Sequence, residues 1–466
     1  MSEGHRHTGA PAGAELLAGP AIVFASGKLL PDHGLLVKGD RIEAIEPFDS
    51  LLARVQNRVR TSGTAMADRL DLQSALVLPG FINAHAHLYS SLARGIALDT
   101  PPARTFVEIL ERLWWRLDEA LTLEDVRVSA QTGLAEALSC GVTTLLDHHS
   151  SPNACAGSLD VLRDAACEVG VRVGLAYEVS DRHGPAGTRA AIEENVRFAR
   201  ALRANPDPMT AAQFGLHALF TVGEETLSDS LAAARVENLP LHLHVSEDEA
   251  DVRANLERHG ARPVARLARH RALDSRAVLA HCVHIDASEI ETLARTGAFV
   301  VHNPASNMNN AVGCAPVRAL LAAGARVGLG TDGLGADMIA AARAAFLLER
   351  HAERDPRVGW EEGPRLLLTH PAALASQLFG LPMGELRVGA AADFVALAYD
   401  PPTPLTEANL FAHLIHGIHP GHVWAVVAGG RVRLREGRII SMDVASLRER
   451  AREHARALWR RLSAAR

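Results

Sequence analysis

Two histidines separated by one alanine, His85-Ala86-His87, follow the apolar stretch LPGFINA. On a β-strand, residues two apart point to the same side, so both imidazoles can reach one metal ion. The pattern alone is weak: 23 histidines in 466 positions give roughly one HxH by chance, and the chain has three, His5/His7, His85/His87 and His242/His244. Position separates them. His5 and His7 fall in a polar N-terminal stretch and read as solvated, whereas His85 and His87 end an apolar run. His244 opens the sequence HVSE, which places Glu247 three residues after an imidazole. That pairing suits a water held on a metal and the carboxylate that shuttles its proton. His242 faces the same way as His244 but earlier in its run, and is read as packing. Asp332 in GTDG is a further carboxylate, with Gly330 and Gly333 read as letting the backbone turn sharply around it.

These residues need elements that bring them together. Short apolar runs recur at 75–85, 142–149, 171–179, 212–220, 239–247, 277–283, 298–303 and 325–333, separated by Ala/Leu/Arg/Glu-rich stretches that fit helices. Eight strand–helix alternations over about 290 residues fit a (β/α)8 barrel, with a doubly wound sheet as the competing architecture. In a barrel the C-terminal strand ends converge on one face. His85 and His87, His148 and His149, His217, His244 and Glu247, His281, His302 and Asp332 lie at or near such ends. Residues 21–46 and the passage from DFVALAYD to GRII read as strands with turns, marked by Pro31, Asp32, Gly34 and Gly429-Gly430. Two such segments at opposite ends can pair into one small sheet domain. The expected organisation is a tail at 1–20, a small β-sandwich domain from 21–78 and 380–442, a barrel over 79–379, and a C-terminal surface helix over 443–466.

Composition narrows the chemistry. Of 48 basic residues only Lys28 and Lys38 are lysines. A barrel without lysine has no Schiff-base lysine, no phosphate-loop lysine and no carbamylated lysine to bridge two metals. The net charge of −6, with mixed signs, offers no basic face to nucleic acid. No run of 18 apolar residues asks for a membrane. The first twenty residues lack the apolar core of a signal peptide. Five cysteines, an odd number without a CxxC pair, point to a reducing compartment, so the cytoplasm is expected.

The ordered set LPGFINAHAH, HVSE, AHCVH, HNPASN and GLGTDG resembles the amidohydrolase superfamily, in the branch of cytosine, guanine and S-adenosylhomocysteine deaminases and triazine hydrolases. The stretches FVEILERLWWRLDEALTLEDVR, LLDHHSSP and HNPASNMNNAVGCAPV look like the aminohydrolases called SsnA. The resemblance covers nearly the whole chain and implies the barrel with its small β domain. It implies that His85, His87, His244 and Asp332 hold one divalent metal, zinc or else iron, since imidazole and carboxylate suit both. It implies that Glu247 shuttles protons, that the strand-six His281 polarises the attacked centre, and that His217 contacts substrate. Asp332 can also accept a hydrogen bond from the attacking water. A homodimer or larger homo-oligomer is implied as well.

The expected reaction is hydrolysis of a non-peptide C–N bond in a purine-like or related nitrogen heterocycle, by water that the metal activates. A ring-opening or triazine-type hydrolase at the same site is the alternative, and an inactive binding homologue a remote one. Trp114 and Trp115 read either as a stacking surface for a flat ring or as the core face of a helix. Neighbours on a strand point opposite ways, so one of His148 and His149 faces the pocket, and His149 is favoured. His302 and Asn303 are expected to line it. His416, His419 and His422 read as exposed loop residues rather than a second metal site.

Overall fold

The computed structural model describes residues 15–62 and 66–464, so His5 and His7 lie outside the described residues. The apolar runs form eight parallel strands: Phe81–Ala86, Val142–His149, Arg172–Val179, Phe214–Ala218, Leu241–Val245, Val278–His281, Phe299–His302 and Arg326–Leu329. Each pairs with the next in sequence order. The first and eighth strands meet at their ends, where the amides of Thr331 and Asp332 both donate to the His85 carbonyl at 3.0 Å. A parallel bridge between Ala86 and Asp332 joins them there. The second and third strands are buried at every position, as expected for parallel strands covered on both sides.

Local chemistry sets the helix ends. The helix Leu123–Ser139 opens on a capping box, with Thr122 and Asp125 satisfying each other's backbone amides. The C-terminal helix Val444–Ala464 lays Leu447, Leu458 and Leu462 against the barrel. Trp459 Nε1 donates to the Leu92 carbonyl at 2.8 Å, which ties this helix to the segment after the first barrel strand.

The two ends of the chain pair into one mixed sheet. Strands Glu15–Ala25, Lys28–Lys38 and Arg41–Pro47 form an antiparallel meander. Leu76–Pro79 joins the meander to Phe394–Leu397, which continues through Val423–Ala428 and Arg431–Arg435. The hydrogen-bonded order is continuous, and a single apolar cluster takes residues from both halves, among them Val23, Leu35, Val77, Phe394 and Val427. The first strand starts at Glu15, so residues 15–20 are sheet rather than the tail expected there. Burial alternates from Pro20 to Ala25, the pattern of a half-buried sheet, while residues 16–19 are buried throughout. Gly429 and Gly430 both adopt positive φ, as a two-residue hairpin turn requires.

Sheet and barrel are joined by a buried ion pair. Arg172 Nε and Nη2 each lie 3.2 Å from Asp393 Oδ2, and the Gly429 amide donates to Asp393 Oδ1 at 2.6 Å. All five cysteines are free. Among the described residues no helix is long and apolar enough to cross a membrane.

Candidate metal and active site

Parallel strands that end together aim their last side chains at a common point. The coordinating atoms of His85, His87, His244 and Asp332 lie within 4.8 Å of one another. Asp332 Oδ1 is 2.9 Å from His87 Nε2 and 3.4 Å from His85 Nε2, and the Nε2 atoms of His87 and His244 are 3.1 Å apart. Partners behind the rings fix which nitrogen faces inward. His87 Nδ1 donates to the His148 carbonyl at 2.6 Å, and His244 Nδ1 to the His217 carbonyl at 2.8 Å. Both Nε2 atoms therefore point at the cluster, the orientation that metal-binding imidazoles require.

Electrostatics supports the same assembly. Burial pushes His85 down to about 3 and His244 well below its ordinary range, so both are neutral donors. Burial acts against the Asp332 charge, yet His85 and His87 hold its carboxyl well below the usual range. Burial also lowers His87, but Asp332 outweighs it and raises the ring to about 9. The proton that Asp332 draws onto His87 is positive charge of the kind a cation would supply. His85 Nε2 is buried without a hydrogen-bond partner. An inward-facing nitrogen without a partner, two oriented imidazoles and one carboxylate fit a tetrahedral zinc donor set.

The backbone stores strain at this face. Ser246, His281, Cys282 and Asp332 all have positive φ, at the ends of the fifth, sixth and eighth strands. Such residues cost on the order of 1–3 kcal/mol each and cluster where geometry is functional. Gly330 and Gly333 are not the turn-makers expected: Asp332 itself takes the left-handed conformation. Gly330 is required by close approach instead, since a Cβ there would lie 2.3 Å from Asn303 Oδ1 and 2.8 Å from the His85 carbonyl oxygen.

Glu247 and His281 stand beside the cluster. Glu247 Oε2 is 3.4 Å from His281 Nε2, and Asn310 Nδ2 donates to Glu247 Oε1 at 3.1 Å. Burial pushes the Glu247 carboxyl up to about 7. His281 Nδ1 donates to Asn307 Oδ1 at 2.8 Å, which turns the Nε2 lone pair inward. Ser306 Oγ donates to Asp332 Oδ2.

A cavity of about 620 Å³, mouth included, opens onto these groups. His217, Trp114 and Trp115 line it. His149, His302 and Asn303 are fully buried and do not line it, which corrects their assignment to the pocket. Strand alternation explains His149: it turns outward to Ser151 Oγ, at 2.8 Å, and between Tyr89 and Tyr177. His148 is the one facing inward, its ring 4.8 Å from those of His242 and His244. His416 packs against Phe346 and Trp360, while His419 and His422 pack on each other.

Sequence reasoning missed four residues. His242, read as packing, lies with Nε2 2.8 Å from His85 Nδ1. Glu178 and Asp118 line the cavity, and Tyr89 borders it. Glu178 could have been found, because it ends the third apolar run as the other site residues end theirs. Nothing local marks Asp118, which arrives from the segment after the first strand.

An amidohydrolase family model matches residues 76–433. The chain is 34% identical over 399 residues to a 5-methylthioadenosine/S-adenosylhomocysteine deaminase of Haloarcula marismortui, covering 84% of this chain and 89% of that one. It is 28% identical to a 5'-deoxyadenosine deaminase of Methanocaldococcus jannaschii, covering 92% and 97%. A zinc-bound adenosine deaminase structure from Xanthomonas campestris superposes with a TM-score of 0.83 at 25% identity, covering 96% and 99%. A zinc complex of atrazine chlorohydrolase from Arthrobacter aurescens, at 23% identity, shares the fold with a TM-score of 0.77, covering 94% and 100%. The chain belongs to the amidohydrolase family. It is a metal-dependent hydrolase of carbon–nitrogen bonds other than peptide bonds.

Proposed function

We propose that this protein is an aminohydrolase that releases ammonia or an amine from a purine-like or related nitrogen heterocycle, of the kind called SsnA. The observation that carries this reading is the convergence of four donor atoms beside a carboxyl, Glu247, whose burial lets it hold a proton near neutral pH. His85, His87, His244 and Asp332 would hold one divalent ion, zinc or else iron. Such an ion supplies a water of lowered pKa, about 7 for zinc.

The remaining steps belong to the chain's own groups. Glu247 takes a proton from the attacking water, passes it to the ring nitrogen, and delivers one to the departing amine. A carboxyl poised near 7 can do both, since neither protonation state is far off. His281 Nε2 orients the groups around the attacked carbon, held by Asn307 behind it. Trp114 and Trp115 present aromatic surface to a flat ring, and His217 contacts the substrate edge. The unpaired cysteines support a cytoplasmic enzyme, and the family resemblance a homodimer or larger homo-oligomer.

The test is ammonia release from a panel of purines, pyrimidines, pterins and triazines by zinc-loaded and iron-loaded protein. Turnover of a heterocyclic amine, lost on chelation and restored by metal, is the expected result. Full activity of metal-free protein, or no release from any member, defeats the proposal.

A further inference from the structure

Glu247, at the end of the fifth strand, is held by a side chain that arrives from the turn after the seventh. There the helix Pro304–Asn309 ends on Asn310, whose backbone amide donates to the Ser306 carbonyl at 2.8 Å. Ala311 follows with positive φ, which breaks the helix. Asn310 lines the cavity together with Glu247.

The sense of the Asn310 side-chain amide is set on both sides. Its Oδ1 accepts from Asn309 Nδ2 at 3.0 Å. Its Nδ2 faces two oxygens, Glu247 Oε1 at 3.1 Å and Ser306 Oγ at 3.4 Å. The Ser306 hydroxyl gives its proton to Asp332 Oδ2, so its oxygen is an acceptor toward Asn310. A carboxamide nitrogen carries two protons, enough for both acceptors. Turned the other way, Oδ1 would face both oxygens and the nitrogens of Asn309 and Asn310 would face each other.

The two oxygens of Glu247 are thereby made unequal. Among the described residues Asn310 is the one hydrogen-bond partner of this carboxyl, and it engages Oε1 alone. Oε2 makes no hydrogen bond and lies 3.4 Å from His281 Nε2. An oxygen that accepts from an N–H does not also hold a proton on that side, whether or not the carboxyl is ionised. Glutamate is a rotamer-rich side chain, and release of Oε1 would return that freedom to it.

We propose that Asn310 is a positioning residue for the proton shuttle: by holding Oε1 it leaves Oε2 as the oxygen that takes protons up and hands them on. The inference rests on the aminohydrolase reading and adds to it which oxygen of Glu247 works and what fixes it. The attacking water loses a proton to Oε2, and the Oε2–H bond breaks again as the proton passes to the ring nitrogen. Each proton reaches Oε2 and leaves from it, so the carboxyl ends the cycle in the state in which it began.

The test combines kinetics and crystallography on zinc-loaded protein. Asn310→Leu removes the donor at similar volume, and Asn310→Asp turns an acceptor toward Oε1. On a heterocycle that the wild type turns over, both should lower kcat about 10–100-fold, with KM within about twofold and zinc content unchanged. In a Glu247→Gln background Asn310→Leu should change kcat by less than about twofold, because its effect passes through Glu247. In crystals of Asn310→Leu the Glu247 carboxyl should leave its place beside His281 Nε2. Wild-type kcat in both variants, a loss confined to KM, an equal loss in the Glu247→Gln background, or a Glu247 carboxyl that stays in place overturns the proposal. If no heterocycle is turned over by the wild type, the aminohydrolase reading falls, and the crystals alone decide whether Asn310 holds Glu247.

Discussion

His242 Nε2 lies 2.8 Å from His85 Nδ1 inside the barrel, and this pair differs from the other histidines of the cluster. His87 and His244 are held by backbone carbonyls, which a side-chain substitution cannot remove. His85 alone is oriented by a side chain. The His242→Ala variant should leave His85 Nδ1 buried without a partner and weaken zinc binding about 10–100-fold. His242→Gln keeps a side-chain carbonyl that can accept from Nδ1 and should recover much of the loss. Zinc competition against a chelator measures both, and equal affinity in wild type and His242→Ala would refute the positioning role.

Glu247 should separate binding from turnover. It lies 3.4 Å from His281 Nε2 and belongs to no group that includes His85 or His244. The Glu247→Gln variant should bind one zinc per chain with near wild-type affinity while kcat falls about 10²–10⁴-fold. Loss of zinc together with activity would make Glu247 a ligand instead. Wild-type kcat would remove it from the reaction.

The cluster was legible in the sequence because strand ends of a barrel have one destination, and His85, His87, His244 and Asp332 each end an apolar run. Whatever needed the third dimension was less so. The sequence reads His242 as packing, because facing the interior does not say which side chain lies across it. Strand alternation leaves the choice between His148 and His149 open until the strand is placed. His302 and Asn303 obey the strand-end rule yet are buried and do not line the cavity. The sheet from the two chain ends was readable from β-branched runs and turn glycines, but not its start at Glu15.

Asp393 should matter to stability well away from the site. Its carboxylate joins Arg172 on the third barrel strand to the Gly429 hairpin of the end sheet, with both side chains almost wholly buried. Removing one partner of a buried pair leaves the other charge uncompensated, at about 3–5 kcal/mol. Asp393→Ala should therefore lower unfolding free energy by that order in urea titration, while the metal content of the folded fraction stays as in the wild type. A change under about 1 kcal/mol would mean that water reaches and solvates Arg172.

Stability should fall as pH is lowered from about 6.5, and two histidines outside the metal cluster contribute. Burial pushes His149 and His302 each down to about 3. Both are neutral in the folded protein, whereas the unfolded chain protonates them near 6.5. The unfolded state then binds more protons, so folding free energy is lost as pH falls from 6.5 toward 3 and is fully present above 6.5. Each such group contributes about 1.4 kcal/mol per pH unit inside that window. His302 has neither ring nitrogen hydrogen-bonded, so an apolar replacement removes the titration without orphaning a partner. His302→Leu should flatten the slope of unfolding free energy between pH 6.5 and 5 by about 1 kcal/mol per unit. Urea titrations across that range measure it. A slope unchanged in the variant would show that His302 is not held neutral by burial.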